Sequence, residues 1–281
     1  MNHLNETELV IKAGQTESQY WRDLWRYREL FYFLAWRDIL VRYKQTVLGV
    51  AWALIRPLLT TIVFTFVFGN LANLPSEGNV PYPILVVAGQ LPWQFFANAL
   101  TECSNSLINN SNMISKVYFP RLIVPVSSVM VSFVDFLISV TILLAMMAWY
   151  DFVPNWRVLT LPLFILIAIA AAIGGGLWLA ALNVEYRDFR YIVPFIVQFG
   201  LYISPVGFSS NVVEERYGAI WRTIYSLNPM VGVIDGFRWA LLGGTQLYLP
   251  GFFLSLVIVA LLVMSGLWYF RKTERTFADV I

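Results

Sequence analysis

The chain has 281 residues, of which 58% are hydrophobic and only 13% are charged, and its formal net charge is +2. Soluble domains carry about 25% charged residues and have no need of several apolar runs that are each about 20 residues long. The composition therefore excludes an ordinary soluble domain and indicates an integral membrane protein built from α-helices.

The first 46 residues are a polar and amphipathic segment ahead of the first apolar run. Within it, QYWRDLWRYREL places Trp21, Leu24 and Trp25 on one helical face, with arginines and a glutamate on the other. This pattern is typical of a helix that lies in the membrane interface. We therefore predict a cytoplasmic N-terminal region, residues 1–46, with an amphipathic interface helix. A soluble docking helix is the alternative interpretation.

Residues 47–281 are predicted to form a transmembrane domain with six helices. The fifth is short and interrupted by Pro194 and Pro205, so we expect it to be kinked or broken. A further apolar stretch is split by Asn228-Pro229, which favours a re-entrant pair of half-helices. The predicted spans are residues 47–71, 82–107, 122–150, 158–183, 192–208 and 252–270, and the re-entrant region is 219–242.

The distribution of basic residues predicts the orientation of these spans. With six spans and the amino terminus inside, most of the 19 Lys and Arg residues fall on the cytoplasmic side, as expected for membrane proteins. A seventh crossing through residues 219–242 would weaken this bias. Both termini are therefore predicted to be cytoplasmic.

The residues that usually carry catalysis are scarce. His3 is the single histidine and Cys103 the single cysteine, so neither a metal site nor a disulfide is expected. No GxxxxGK[ST] phosphate loop occurs. Glu102 and Asp135 are the acidic candidates for a membrane enzyme or for a proton relay in a secondary transporter. A membrane enzyme would have no histidine or metal to work with these two carboxylates. The sequence also shows no internal repeat of the kind found in many secondary transporters.

Polar residues recur at intervals of three or four in the second and third spans, and aromatic residues do so in the fifth, so each set shares a helix face. The polar sets line either a hydrated conduit or the hydrogen-bonded contacts between helices. The aromatic set offers flat faces for sugar rings, with lipid contact or core packing as the alternative. The candidate conduit-lining residues are Gln94, Asn98, Thr101, Asn105, Ser128, Ser132, Asp135, Tyr191, Phe195, Phe199 and Tyr202.

The stretch WRDILVRYKQTVLGVAWALIRPLLTTIVFTFVFG closely resembles the first-span signature of permeases of polysaccharide-exporting ABC transporters, especially O-antigen exporters. The resemblance continues through VPYPILVVAGQLPWQFFANAL, NSNMISKVYFPRLIVPV, ALNVEYRDFRYIVPF and LNPMVGVIDGFRWALLG, and so covers residues 27–242. Similar permeases export teichoic acids and capsular polymers. These substrates remain open alternatives, as does a drug-exporting ABC permease with the same architecture.

The resemblance implies a transport subunit in the bacterial inner membrane that is not itself an enzyme. Two copies of the permease would work with two separate ATP-binding subunits, which bind ATP and Mg, so no cofactor is expected on this chain. The cargo would be an undecaprenyl-pyrophosphate-linked polysaccharide for lipopolysaccharide biosynthesis. Membrane lipids are the other expected partners, and nucleic acid is not one.

The resemblance also assigns expected contacts. Residues 110–121 would form the main coupling segment for the ATPase, and residues 185–190 a second contact. The basic residues before and within the first span would meet the anionic lipid head group, although anchoring to the cytoplasmic surface is the simpler role. The ATPase-contact candidates are Asn112, Ser115, Lys116, Val117, Tyr118, Glu185, Arg187, Asp188 and Arg190, and the head-group candidates are Arg37, Arg42, Lys44 and Arg56.

Overall fold

The computed structural model describes residues 17–44, 49–78, 80–186, 188–243 and 246–277. The regular secondary structure in these ranges is helical and includes no strand, which confirms the predicted all-α class. In chain order the helices are α1 (Glu17–Arg26), α2 (Arg28–Lys44), α3 (Gly49–Phe64), α4 (Tyr82–Asn109), α5 (Ser111–Ile114), α6 (Ile123–Trp149), α7 (Leu161–Glu185), α8 (Phe189–Ile203), α9 (Asn211–Tyr217), α10 (Ala219–Tyr225), α11 (Pro229–Leu242) and α12 (Leu249–Thr273).

Four helical stretches in the described part of the chain are long and apolar enough to cross a membrane. They are Ala51–Leu71, which joins α3 to a π-helical turn, Ile123–Trp149, Trp156–Glu185 and Leu249–Thr276. These stretches coincide with the predicted first, third, fourth and sixth spans. Residues 47 and 48, where the first span is predicted to begin, lie outside the described ranges.

The helices at the second and fifth predicted spans differ from these four. Helix α4 has 28 residues, or about 42 Å at 1.5 Å per residue, but its polar residues lower its hydropathy. Helix α8 has 15 residues, or about 22 Å, which is less than the roughly 30 Å of a hydrocarbon core. It ends at Ile203 rather than at residue 208, because Pro205 favours the extended backbone observed at Ser204.

The apolar stretch 219–242 divides where its sequence predicts. Asn228 caps α11 by accepting a hydrogen bond from the Met230 amide at 3.0 Å, and Pro229 occupies the first turn. Helix α10 precedes this break, and the additional short helix α9 was not predicted. Helix α11 is largely buried and packs against α4, α7 and α12.

Arg238 on α11 is fully buried and joins three segments of the chain. Its guanidinium donates to the carbonyl oxygens of Leu85, Val206 and Phe208 at 3.2, 2.9 and 2.7 Å. These bonds compensate for taking the charge out of water. Arg238 therefore fixes the irregular segment after α8 against α4 and α11.

Helices α7 and α12 approach closely through glycine. A Cβ atom on Gly266 would lie 2.3 Å from the carbonyl oxygen of Gly174, a distance at which the helices must separate. The absence of a side chain at Gly266 therefore allows the two helices to pack at this short distance.

A hydrophobic cluster joins several helices at one end of the bundle. It joins Leu34 of α2, Leu107 of α4, Phe119, Val184 of α7 and Phe270 of α12. Because residues 110–121 lie here, we call this end the loop end. The cluster places the N-terminal helices, the segment after α4 and the C-terminal end of α12 together, as their assignment to one side of the membrane requires.

Candidate functional site

Two polar cavities lie between α2, α4 and α6, and α3 also lines the first of them. The first, the inner cavity, has a volume of about 340 Å³ and is lined by Arg42, Trp52, Ala53, Arg56, Leu91, Gln94, Phe95, Asn98, Ser132, Asp135, Phe136 and Ser139. The second, the outer cavity, has a volume of about 490 Å³ and is lined by Arg37, Asp38, Val41, Arg42, Glu102, Ser106, Asn109, Asn110, Ser128 and Val131.

Asp135 and Glu102 are both paired with Arg42. Arg42 Nη1 lies 2.9 Å from Glu102 Oε1, and Nη2 lies 2.7 Å from Asp135 Oδ2. The phenol of Tyr43 donates a hydrogen bond to the other Asp135 oxygen. Asp135 is only 8% exposed, so it faces the protein interior as its position in an apolar span predicts. These contacts compensate for burying its charge.

Tyr43 is suited to this contact because it stays protonated. Its burial and its hydrogen bond to the Asp135 carboxylate both raise the pKa of the phenol above its ordinary value. A protonated phenol donates to a carboxylate, whereas a phenolate would repel it. Tyr43 thus remains a partner of Asp135 across the physiological pH range.

The polar stripe on α4 has two different environments. Gln94 and Asn98 line the inner cavity together with Ser132 of α6. Ser132 is 0% exposed, and its hydroxyl has no hydrogen-bond partner among the described residues, as is also true of the Gln94 side-chain oxygen. Ser128, one turn earlier on α6, lines the outer cavity. This part of the stripe faces polar space.

The part of the stripe nearer the loop end packs against other atoms of the bundle. Asn105 accepts a hydrogen bond from Asn183 of α7 at 3.1 Å and donates to the Thr101 carbonyl at 3.0 Å. The Thr101 hydroxyl donates to the Ala97 carbonyl of its own helix at 2.8 Å. Neither Asn105 nor Thr101 lines the inner or the outer cavity. Their geometry is that of residues holding helices together.

The four basic head-group candidates are held in different ways. Arg37 pairs with Asp38 at 2.7 Å and donates to Asn110 at 2.7 Å. Lys44 is exposed at the end of α2. Arg56 lines the inner cavity, is exposed, and makes no hydrogen bond or ion pair with another residue in the described ranges. Arg56 is therefore available to an anion in a way that Arg37 is not.

The aromatic stripe on α8 is separate from both cavities. Its four side chains are exposed to between 50% and 80%, and the rings of Phe195 and Phe199 lie 4.2 Å apart. The other two members, Tyr191 and Tyr202, are likewise on the outer surface of the bundle. The structure therefore does not bring the aromatic and polar stripes together within one chain.

Residues 110–121 present an exposed surface on a fixed base. Asn112, Ser115, Lys116, Val117 and Tyr118 are exposed, while Ile114 and Phe119 are buried in the loop-end cluster. The segment is short and starts with the single-turn helix α5. This arrangement holds the exposed side chains in place for a partner.

Glu274 at the end of α12 ties this segment to the N-terminal helix. Its carboxylate accepts hydrogen bonds from the Arg121 amide at 2.8 Å and from the Tyr20 hydroxyl at 3.0 Å. The Arg121 guanidinium donates to the Glu274 carbonyl. Burial raises the pKa of Tyr20, and so does the neighbouring Glu274 carboxylate, so this phenol stays a donor. This clamp was not predicted from the sequence.

The second predicted contact segment lies where α7 ends and α8 begins. Glu185, Asp188 and Arg190 are exposed, and Glu185 accepts a hydrogen bond from Tyr269 at 3.2 Å. Arg187, the remaining candidate, lies outside the described residues. Because Val184 belongs to the loop-end cluster, this segment is on the same end of the bundle as residues 110–121.

Sequence reasoning missed Tyr43 and treated Glu102 only as a candidate acid. For Glu102 the available signal was the arginine at position 42, since acidic residues in apolar helices need cationic partners. No cluster of His, Cys, Asp and Glu that could hold a metal is found in the described part of the chain.

The sequence is similar to those of known transport proteins. A family profile described as ABC-2 type transporter matches residues 29–242. The chain is 28% identical over 254 residues to the O-antigen export system permease protein RfbA of Klebsiella pneumoniae, covering 87% of this chain and 92% of that protein. It is 26% identical over 218 residues to the protein of the same name from Myxococcus xanthus, covering 77% and 82% of the two chains.

Proposed function

The chain belongs to the ABC-2 type transporter family, and from this membership we propose that it is the permease subunit of an exporter of lipid-linked polysaccharide. O-antigen is the proposed cargo, and the inner membrane the proposed location. The observation that carries the proposal is the similarity to O-antigen export permeases over about nine-tenths of both chains. The chain is a transport component rather than an enzyme, and ATP with Mg is bound by separate subunits.

The proposed topology has six spans with both termini in the cytoplasm. Four apolar helices of sufficient length support it, as does the length of α4. Helix α8 contributes the fifth crossing with the irregular segment that Arg238 holds. Helices α10 and α11 form the re-entrant pair, and α1 lies in the membrane interface, where its exposed Trp21 and Trp25 suit the headgroup region.

We expect a second copy of the chain to complete the transport path. The aromatic face of α8 is exposed on the isolated chain, and aromatic rings offer apolar faces with polar edges to passing sugars. Two such faces from two copies would enclose a conduit. This arrangement explains why the aromatic stripe lies outside the cavities of a single chain.

Energy from ATP would reach the permease at the loop end. The exposed side chains from Asn112 to Tyr118 would insert into the ATP-binding subunit, with Glu185, Asp188 and Arg190 as a second contact. The clamp at Glu274 would pass their movement to α12 and α1. The charged segment of α2 lies at the same end and so on the side where a cytoplasmic head group arrives.

Arg56 is the proposed ligand for the diphosphate of the carrier lipid. Its guanidinium lines the inner cavity without a partner among the described residues, and a guanidinium binds phosphate oxygens in pairs. Gln94, Asn98 and Ser132 would supply further hydrogen bonds there.

Deletion of the gene and copurification of the product test this function together. We expect undecaprenyl-linked glycan to accumulate at the cytoplasmic face after deletion, and a stable complex with an ATP-binding subunit on purification. Normal surface polysaccharide after deletion would contradict the proposed cargo. Accumulation of a teichoic acid or capsular intermediate instead would assign the other polymer.

A further inference from the structure

Among the described residues, Arg42 alone lines both the inner and the outer cavity. Arg42 forms an ion pair with Glu102, which lines the outer cavity, and another with Asp135, which lines the inner cavity. Its guanidinium therefore stands at the boundary of two polar spaces. These spaces have volumes of about 490 and 340 Å³, which are within the range of small-molecule sites.

A guanidinium also lies on each side of this boundary. Arg37 lines the outer cavity near the loop end, and Arg56 lines the inner cavity deeper in the bundle. Asn109 of α4 lines the outer cavity and Asn98 of α4 lines the inner cavity. The two residues are 11 positions apart on the helix, or about 16 Å. A phosphate group moving inward from the loop end would meet Arg37, Arg42 and Arg56 in that order.

We propose that Arg42 is a gate between the two cavities, closed by its ion pairs with Glu102 and Asp135 and opened by a diphosphate head group that takes the guanidinium from the two carboxylates. The gate rests on the proposed function, since it gives the head group of a lipid-linked cargo a controlled path into the bundle. No covalent step is involved, and only the partners of one side chain change.

The surroundings of Arg42 make this exchange feasible. Arg42 and Glu102 are each 38% exposed, so their ion pair is partly screened and easily broken. Asp135 is more buried, but it retains the hydrogen bond from Tyr43 when Arg42 leaves. An arriving phosphate attracts the guanidinium and repels both carboxylates, so all three interactions favour separation of Arg42 from Glu102 and Asp135.

The test measures access to the inner cavity from the loop end. We would use inside-out membrane vesicles that contain the whole transporter with Cys103 replaced by alanine. A small charged, membrane-impermeant thiosulfonate reagent then labels Asn98→Cys in the inner cavity. The matched control is Asn109→Cys in the outer cavity, which lies before the gate.

Removal of the gate should accelerate labelling at position 98 alone. We expect Arg42→Ala to raise the rate there about tenfold, which corresponds to about 1.4 kcal/mol, and to leave the rate at position 109 unchanged. Inorganic pyrophosphate should accelerate labelling at position 98 when Arg42 is present and have no effect in Arg42→Ala. The double variant Glu102→Gln, Asp135→Asn provides a second open gate should Arg42→Ala fold poorly.

Equal rates at position 98 with and without Arg42 would overturn the proposal. Equal acceleration at positions 98 and 109 would do so as well, because it would indicate general loosening. If pyrophosphate does not change labelling at position 98 in the chain that retains Arg42, the proposal that a diphosphate displaces the two carboxylates from Arg42 is wrong. Gated labelling in a transporter that exports no glycan would support the gate and contradict the proposed function.

Discussion

Arg42 on α2 holds Asp135 on α6 in an ion pair of 2.7 Å, although 93 positions separate them in the sequence. A lone aspartate at the centre of a membrane helix costs about 2.5 to 3.5 kcal/mol, and this pair offsets part of that cost. The charged segment before the first span is therefore packed into the helical bundle, in addition to any anchoring at the membrane surface. Its acidic partners belong to the second and third predicted spans.

Asp135→Asn should destabilise the permease. The substitution removes the charge that binds Arg42 but keeps an oxygen to accept from Tyr43, so we expect the free energy of unfolding to fall by about 1.5 to 3 kcal/mol. Thermal unfolding of the purified protein measures this change. Asp151→Asn is the matched control, since Asp151 is exposed and asparagine tolerates its positive φ of 50°. Equal stability of the two variants would contradict the role of the Arg42 pair.

Asn98 and Asn105 should respond differently to leucine, although they lie on the same face of α4. Asn98→Leu fills part of the inner cavity, so we expect normal folded yield and reduced export per molecule. Asn105→Leu removes one of the hydrogen-bond acceptors of the Asn183 amide, so we expect reduced folded yield and normal export by the protein that folds. Folded yield and glycan export are measured together. The opposite pattern would contradict these assignments, because it would make Asn98 the packing residue and Asn105 the residue that lines the transport path.

Arg56→Gln should reduce export without changing stability. Arg56 has no ion pair within the described ranges that the substitution could break, but glutamine cannot hold a diphosphate with charge-assisted bonds. Initial rates of glycan export and the melting temperature are the measurements. Arg216→Gln on α9 is the control, because Arg216 is exposed and lines neither cavity. Normal export by Arg56→Gln would leave Arg56 as an anchor at the membrane interface.

Local sequence signals predicted the helices well because the causes are local. Apolar length identified four spans, and the Asn228-Pro229 pair marked the start of α11 through capping and a fixed φ. Helix α8, in contrast, ends at Ile203, before Pro205 and short of the predicted end of the fifth span at residue 208. The short helix α9 carries no comparable signal, since it has only seven residues.

Contacts distant in sequence could not be predicted in the same way. A period of three to four residues shows that Asn98 and Asn105 share a face, but not that one meets a cavity and the other meets Asn183. The clamp at Glu274 depends on packing between three parts of the chain. The exposure of the α8 aromatic face likewise depends on how α8 packs against α4 and α7.

Cysteines at Ser115 or Lys116 should crosslink to the ATP-binding subunit. Both side chains are exposed on a segment that Ile114 and Phe119 hold in place. Val153→Cys is the control, because residue 153 is exposed between α6 and α7 on the predicted periplasmic side. We expect crosslinks from positions 115 and 116 but none from 153. Efficient labelling of 115 or 116 by a periplasmic reagent would contradict the proposed topology.

Reconstitution tests the proposed function most directly. The purified permease and its ATP-binding partner would be placed in proteoliposomes with undecaprenyl-pyrophosphate-linked O-antigen, and transfer of glycan to the opposite leaflet would be measured with and without ATP. We predict transfer that requires ATP and both subunits, and that falls when Arg56→Gln replaces the native permease. ATP hydrolysis by a complete complex without any movement of lipid-linked glycan would contradict the account.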